Sequence, residues 1–349
     1  MASLHRQVLR FVAPRSVSVD TEPMSPPGEE DVVVETVLSA VSPGTETLVY
    51  RGEAPEFAAD SEIDALSGGL DFPLQYGYAA VGTIVDVGSG VSNDWIGRRV
   101  FGFQPHASHF TASPDALIPL PKEVTWAGGS LIPNVETAVN LLMDGAPVLG
   151  EHALVYGQGV VGLLTTALLS RHPVGRLYTV EPDPTRREWS MSLGADRSFA
   201  PASLDALLEA LDVTSAEPRP VEGQQYDGAD LVYELSGQPD ALNQALGVVG
   251  FDGRIVLGSW YGTRRTPIDL GGRFHRSRVS IVSSQVSTVA PEYQGRWNKH
   301  RRMQTVLDLL PELEIQSLIS DPVSIERAPD VYEQLDRGEG PLQPIFHYE

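Results

Sequence analysis

The sequence predicts an α/β protein in which a doubly wound parallel sheet accompanies a mainly antiparallel β half. Three observations predict it. Before about residue 120, short β-type runs are punctuated by Gly and Pro. From His152 the texture changes to strand and helix in alternation, the pattern of a parallel sheet with crossover helices. The 349 residues also exceed the roughly 250–300 at which a single core stops growing. Two domains are therefore expected, one from 1–134 with 286–349 and the other from 135–285.

In the first half the strand candidates are Arg6–Val12, Asp31–Val41, Ala80–Gly88, Arg98–Phe103 and Ala116–Leu120. Between Arg51 and Gln75 the acids Glu53, Glu56, Asp60, Glu62, Asp64 and Asp71 suggest a solvated loop or short helix. In the second half the strands are His152–Tyr156, Arg176–Glu181, Arg197–Ala200, Ala229–Glu234, Arg254–Trp260 and Val279–Ser283. The helices between them are Val160–Ser170, Pro184–Leu193, Leu204–Leu211 and Pro239–Val248. Pro184 suits a first helical turn, and Gly194 suits the left-handed residue just past a helix end. The tail carries helices at Arg301–Leu310 and Ile325–Gln334, then a short apolar run, Pro344 to Phe346.

Charge narrows the function classes. There are 46 acidic against 25 basic side chains, a formal net charge of −21, and only Lys122 and Lys299 are lysines. Such a surface repels itself in dilute buffer and is screened by salt. A halophilic, salt-adapted cytoplasm accounts for the acidity, as does an ordinary acidic enzyme from a genome favouring Arg. Phosphate-backbone and membrane-surface partners are both disfavoured, because they are bound by Lys and Arg. No apolar run approaches the ~20 residues of a membrane span, and the first residues lack a secretory layout, so the expected location is the cytoplasm. The absence of cysteine excludes disulfides, thiolate catalysis and sulfur-ligated metal sites.

The strongest chemical signal is His152-Ala-Leu-Val-Tyr-Gly157-Gln-Gly159-Val-Val-Gly162, a G-x-G-x-x-G turn that follows a strand and opens an apolar helix. Gly157 permits the tight turn, Gly159 lets backbone approach a pyrophosphate, and Gly162 lets helix and strand pack closely. Gln158, Val160 and Val161 complete the turn at a helix N-terminus that favours negative charge. Glu181, 19 residues beyond Gly162, ends the next strand, where a carboxylate accepts from ribose hydroxyls and repels a 2′-phosphate. NAD is therefore favoured over NADP. Arg186 and Arg187 could instead pair with a 2′-phosphate, brace the adenine or face solvent. Ser236, with Gly237, and Gly258 and Ser259 end later strands and are expected to face the cofactor.

Ser39–Glu46 (SAVSPGTE), Pro73–Gly88 (PLQYGYAAVGTIVDVG), Ile96–Phe103 (IGRRVFGF), Leu131–Leu142 (LIPNVETAVNLL), the glycine turn, Leu231–Gly237 (LVYELSG) and Arg254–Ser259 (RIVLGS) together resemble the medium-chain dehydrogenase/reductase superfamily. The resemblance spans nearly the whole chain, and SPGTE is also similar to the bacteriochlorophyllide-dehydrogenase-like branch. It implies a Rossmann domain joined to a GroES-like catalytic domain.

The departures from that pattern imply a zinc-free member. Pro43 stands where zinc-dependent relatives have their first ligand, Gly77-Tyr78-Ala79 replaces their G-H-E, and the third ligand falls near Pro133. The Lewis acid that polarises the carbonyl would then be missing. Thr45, Tyr78 and His106 are the candidate catalytic groups in its place, with Glu46 and His109 nearby. The resemblance puts Thr137 beside the nicotinamide, gives Glu46 a backbone partner or Arg98 or Arg99, and makes Arg278–Ser284 a strand that pairs between subunits, hence a homodimer or homotetramer. The remaining histidines are scattered and suggest no metal cluster.

The reading is a zinc-independent NAD(H)-dependent oxidoreductase that moves a hydride between nicotinamide and a small alcohol or carbonyl compound held between the domains. Two competitors remain: an NADPH-dependent quinone or enoyl reductase, and a non-catalytic dinucleotide-binding sensor.

Overall fold

β-Type runs and βα units fall into separate parts of the computed structural model, which describes residues 5–55, 70–213, 227–313 and 318–348. The first part opens with a hairpin of β1 (His5–Ala13) and β2 (Ser16–Pro23), followed by β3 (Val32–Ala40) and α1 (Pro43–Arg51). Pro43 at the start presets α1, and Gly52, at φ 70°, ends it by donating to the carbonyls of Leu48 and Val49. β4 (Ala80–Val87), β5 (Arg99–Gly102), β6 (His109–Ala112), β7 (Leu117–Pro119), α2 (Trp126–Ser130) and α3 (Ile132–Gly145) complete the N-terminal half.

Next come β8 (His152–Tyr156), α4 (Val160–Leu169), β9 (Arg176–Val180), α5 (Pro184–Ser192), β10 (Arg197–Phe199), α6 (Leu204–Ala210), β11 (Ala229–Glu234), α7 (Pro239–Val248), β12 (Val249–Leu257), β13 (Ser280–Ser283) and α8 (Lys299–Leu309). The chain closes with β14 (Val323–Ser324), α9 (Ala328–Arg337) and β15 (Ile345–His347).

β8 to β13 form one parallel sheet in the order β10-β9-β8-β11-β12-β13. The chain leaves β10 for the far side of β8, so the order reverses between β8 and β11. In doubly wound sheets ligands bind outside the carboxyl ends at that reversal. The other sheet runs β14-β15-β3-β4-β5-β7, with β6 also on β3; only β14 and β15 are parallel. The expected α/β architecture, a Rossmann sheet with a mainly antiparallel companion, is thus what forms.

Contacts divide the chain into two compact units, Met1–Pro133 with Thr305–Glu349, and Asn134–Gln304. Residues 286–304, expected to belong to the first unit, sit in the second. Arg302 is the reason. Its buried guanidinium donates to Glu136 Oε1 (2.8 and 3.1 Å), to Asn140 Oδ1 (2.6 Å), to the Thr288 carbonyl (3.1 Å) and to the Val286 carbonyl. That set of bonds ties α3, α8 and the loop before α8 together. Most of the acidic stretch between Arg51 and Gln75 lies outside the described residues, at 56–69.

Candidate functional site

The glycine turn follows β8, whose apolar residues are buried, and opens α4. Gly157 has φ 85°, and a Cβ there would lie 2.5 Å from Ser236 Cα. A Cβ on Gly162 would lie 2.0 Å from the Gly157 carbonyl oxygen. The fold itself thus excludes side chains at both positions. Gly159 differs: it caps α4 with no side-chain hydrogen bond, and a Cβ on it would meet nothing within 4 Å. The first bond of α4 runs from Leu163 N to Gly159 O, so the Val160 and Val161 amides precede the helical ladder. Bare amides under an unobstructed backbone are what a diphosphate requires, so these residues fit the diphosphate of a dinucleotide.

Gln158 faces the other way. Its buried side chain donates to the Gly157 carbonyl (3.0 Å) and accepts from Thr166 Oγ1 (3.1 Å), which braces the turn from within. Glu181 is buried at the end of β9 and accepts from the Gln158 amide (2.7 Å) and the Asp183 amide (3.0 Å). Each carboxylate oxygen retains a lone pair for a ribose hydroxyl. Asp183 caps α5, with Arg186 Nε 4.0 Å from its carboxylate. Arg187 is spent on the carbonyls of Glu181 and Pro182.

At the ends of β11 and β12 the residues form a cluster that sequence reasoning did not anticipate. Glu234 is fully buried; it accepts from the Ser236 amide (2.9 Å), the Ser236 hydroxyl and the Tyr261 hydroxyl (2.6 Å). Burial, its own hydrogen bond to Glu234 and the Glu234 charge push the Tyr261 phenol far up. Ser259 Oγ accepts from Gly237 N (2.9 Å), and a Cβ on Gly258 would strike Leu235 and Leu141. A lone acid closing the apolar run Leu231-Val-Tyr-Glu234 was the available signal. Thr137 lies on α3 beside the buried Glu136, whose carboxyl burial raises despite the opposing pull of Arg302.

In the first unit, Tyr78 and Thr45 come together: the half-buried phenol donates to Thr45 Oγ1 at 3.3 Å and is also bonded to Ser42. Burial raises the Tyr78 phenol, and the Glu46 charge adds to this against the lowering pull of the two hydroxyls. The expectation that His106 acts on substrate needs correction. Its ring is buried, with Nδ1 on Ser39 Oγ (2.7 Å) and Nε2 on Glu46 Oε2 (3.0 Å), so neither nitrogen is left for a ligand. Glu46 also departs from expectation in part. It does accept from a backbone amide, Ser42 N (2.7 Å), but its other partners are His106 and the Tyr332 hydroxyl. Arg98 lies over Trp95 and Arg99 over Trp126. His109 bonds Ser108, and burial lowers its pKa.

The site's relatives are known. D-guloside 3-dehydrogenase of Escherichia coli (strain K12) is 26% identical over 321 residues, which cover 87% of this chain and 88% of that protein. The chain is similar to alcohol-dehydrogenase-like proteins of the medium-chain dehydrogenase/reductase superfamily. A family model described as zinc-binding dehydrogenase matches residues 160–308, a stretch that excludes positions 43, 78, 79 and 133. Among solved structures of the same fold, a short chain alcohol dehydrogenase from E. coli CFT073 complexed with NADH superposes with a TM-score of 0.76 at 18% identity, covering 98% of this chain and 99% of that one. A Sinorhizobium meliloti 1021 structure bound to NADP gives 0.73 at 18% identity, with 99% of each chain covered.

Proposed function

We propose that this protein is a zinc-independent, NAD(H)-dependent oxidoreductase of that superfamily, acting on a small alcohol or carbonyl compound. The observation that carries the cofactor half is Gly159, the one glycine of the turn whose missing side chain the fold does not demand. A bound nicotinamide would supply or accept the hydride. The Val160 and Val161 amides would hold the diphosphate, and the Glu181 carboxylate would accept from the ribose and repel a 2′-phosphate. The carbonyl end falls to Tyr78. Because its phenol stays protonated, it would turn its single O–H from Thr45 Oγ1 to the oxygen on which negative charge develops, with the Thr45 hydroxyl donating to the phenol oxygen in turn. Zinc independence rests on residue chemistry: Pro43, Ala79 and Pro133 offer no side-chain donor. Among the described residues no group of three or more His, Asp and Glu is placed for a metal ion.

The deciding experiment supplies purified protein in molar KCl with NAD+ or NADP+ and a panel of 2,3-butanediol, L-threonine and methyl glucosides, with the metal content measured on the same sample. Oxidation with NAD+ in metal-free protein supports the reading. Preference for NADPH with quinones or enones would replace it with the reductase alternative, and binding without turnover would replace it with the sensor. Assembly is assigned to β13, which ends the parallel sheet, and would give a homodimer or homotetramer by size-exclusion chromatography. The acidic surface is assigned to a salt-rich cytoplasm. No helix among the described residues is long and apolar enough to cross a membrane.

A further inference from the structure

The Tyr78–Thr45 pair is formed by two segments that are not neighbours in sequence, and a single buried ring touches the support of both. On one side, His106 Nε2 meets Glu46 Oε2 at 3.0 Å, while Glu46 Oε1 takes the Ser42 amide at 2.7 Å. Ser42 precedes α1 without any side-chain cap of its own, so the Glu46 carboxylate holds the turn that carries Thr45. On the other side, Gly77 has φ 117°, and a Cβ there would sit 2.7 Å from His106 Cδ2. The ring is therefore seated against the backbone of the residue just before Tyr78. His106 is itself held from behind. Its Nδ1 pairs with Ser39 Oγ (2.7 Å), Ser39 Oγ with the Tyr348 hydroxyl (2.6 Å), and its edge meets Phe346 with ring centroids 5.3 Å apart. Tyr332 completes the Glu46 carboxylate.

We propose that His106 is a positioning residue, which acts through Glu46 on Thr45 and through Gly77 on Tyr78 to bring the two hydroxyls together. A histidine that merely filled the core would need only its hydrogen bonds. This one also occupies the place that a side chain at position 77 would take. The inference rests on the reading that the hydroxyl pair meets the substrate oxygen, and its test separates the two.

The first measurement needs no turnover. In full-length protein labelled with 13C at the tyrosine ζ-carbon, the Tyr78 resonance is assigned by its loss in Tyr78→Phe. His106→Leu should move it by more than its linewidth while Tyr178, in the other unit, stays in place. His106→Gln, which restores an N–H toward Glu46, should move it less. Should His106→Leu not fold, Ser39→Ala, which removes only the Nδ1 partner, takes its place. An unmoved Tyr78 resonance overturns the proposal. The second measurement uses NAD+ and the substrate that the panel identifies. kcat/KM should fall roughly 10–100-fold in His106→Leu, as sub-ångström to ångström misplacement of a reacting group costs, with NADH affinity unchanged. Adding Tyr78→Phe should bring no further loss, whereas additive losses would show that His106 acts elsewhere. If Tyr78→Phe alone leaves turnover intact while the resonance shift stands, the hydroxyl-pair reading fails and the positioning role survives.

Discussion

Replacing each of two glycines in the turn by alanine should separate folding from cofactor binding. At Gly162 the new Cβ would lie 2.0 Å from the Gly157 carbonyl oxygen and 2.9 Å from its carbonyl carbon. Relief needs the helix to retreat from the strand by more than an ångström, in an interior packed as densely as an organic crystal. Overpacking of this kind costs about 1–3 kcal/mol or more. The transition should fall by several degrees, given about 2–4 °C per kcal/mol in domains of this size. At Gly159 the Cβ meets no protein atom within 4 Å, and φ −69° with ψ −175° suits alanine. Folding then loses only the modest preference of an N-cap for Gly over Ala, below about 1 kcal/mol. That same Cβ stands where the diphosphate must approach. NADH affinity should therefore drop at least tenfold, about 1.4 kcal/mol, in a protein that melts as the wild type does. Calorimetry and NADH fluorescence titration read the two effects independently. Wild-type NADH affinity in Gly159→Ala would refute the assignment of this turn as the diphosphate seat, and an unchanged melting temperature in Gly162→Ala would refute the packing argument.

Glu181→Ala should narrow the gap between NADH and NADPH affinity by removing the charge that repels a 2′-phosphate, as competitive titration would show. Arg302→Met should destabilise the second unit by about 3–5 kcal/mol, since it strands the buried Glu136 carboxylate; adding Glu136→Leu should recover part of that in denaturant titration. Burial alone would raise Glu151, but two hydrogen bonds from Arg254 (both 2.7 Å), the Val148 amide and the Arg254 charge hold its carboxyl below the ordinary value. A carboxyl lowered by folding contributes stability that is complete above its unfolded pKa, near 4.3, and disappears as pH falls through the folded value. Glu151→Gln, less stable at neutral pH, should therefore lose less than the wild type on acidification from about pH 5 to about pH 3. Thermal stability of the wild type should rise on going from dilute buffer to molar KCl, because salt screens a net charge of −21; a flat response would remove the salt-adapted reading.

What could be read from the sequence was what the chain writes locally. The glycine turn is legible because its three constraints lie within six residues, and the strands and helices around it begin and end within a few positions of expectation. β12 shows where that fails. Its start at Val249 was hidden because Gly250, Asp252 and Gly253 resemble a turn; Asp252 has φ 58°, and the register with β11 slips there. β2 was missed because Ser16–Pro23 is polar and only half-buried, and β15 was seen as an apolar run without its partner β3, some 300 residues earlier. The same distance explains His106. A histidine near a cleft-forming segment and a histidine locked in a core look alike in sequence. What separates them are Ser39, Glu46, Phe346 and Gly77, which only the antiparallel sheet and the returning C-terminal strand bring together. If hydroxyl groups replace a metal, as proposed, this long-range scaffold matters more. A metal ion fixes its ligands by coordination geometry, whereas a phenol and a threonine hydroxyl have free rotors and point where the surrounding protein holds them. On the proposed reading, the rigidity that zinc would supply at one atom would come from the buried set around Glu46, and a fully occupied histidine, unable to touch substrate, would be the residue on which the chemistry of Tyr78 depends.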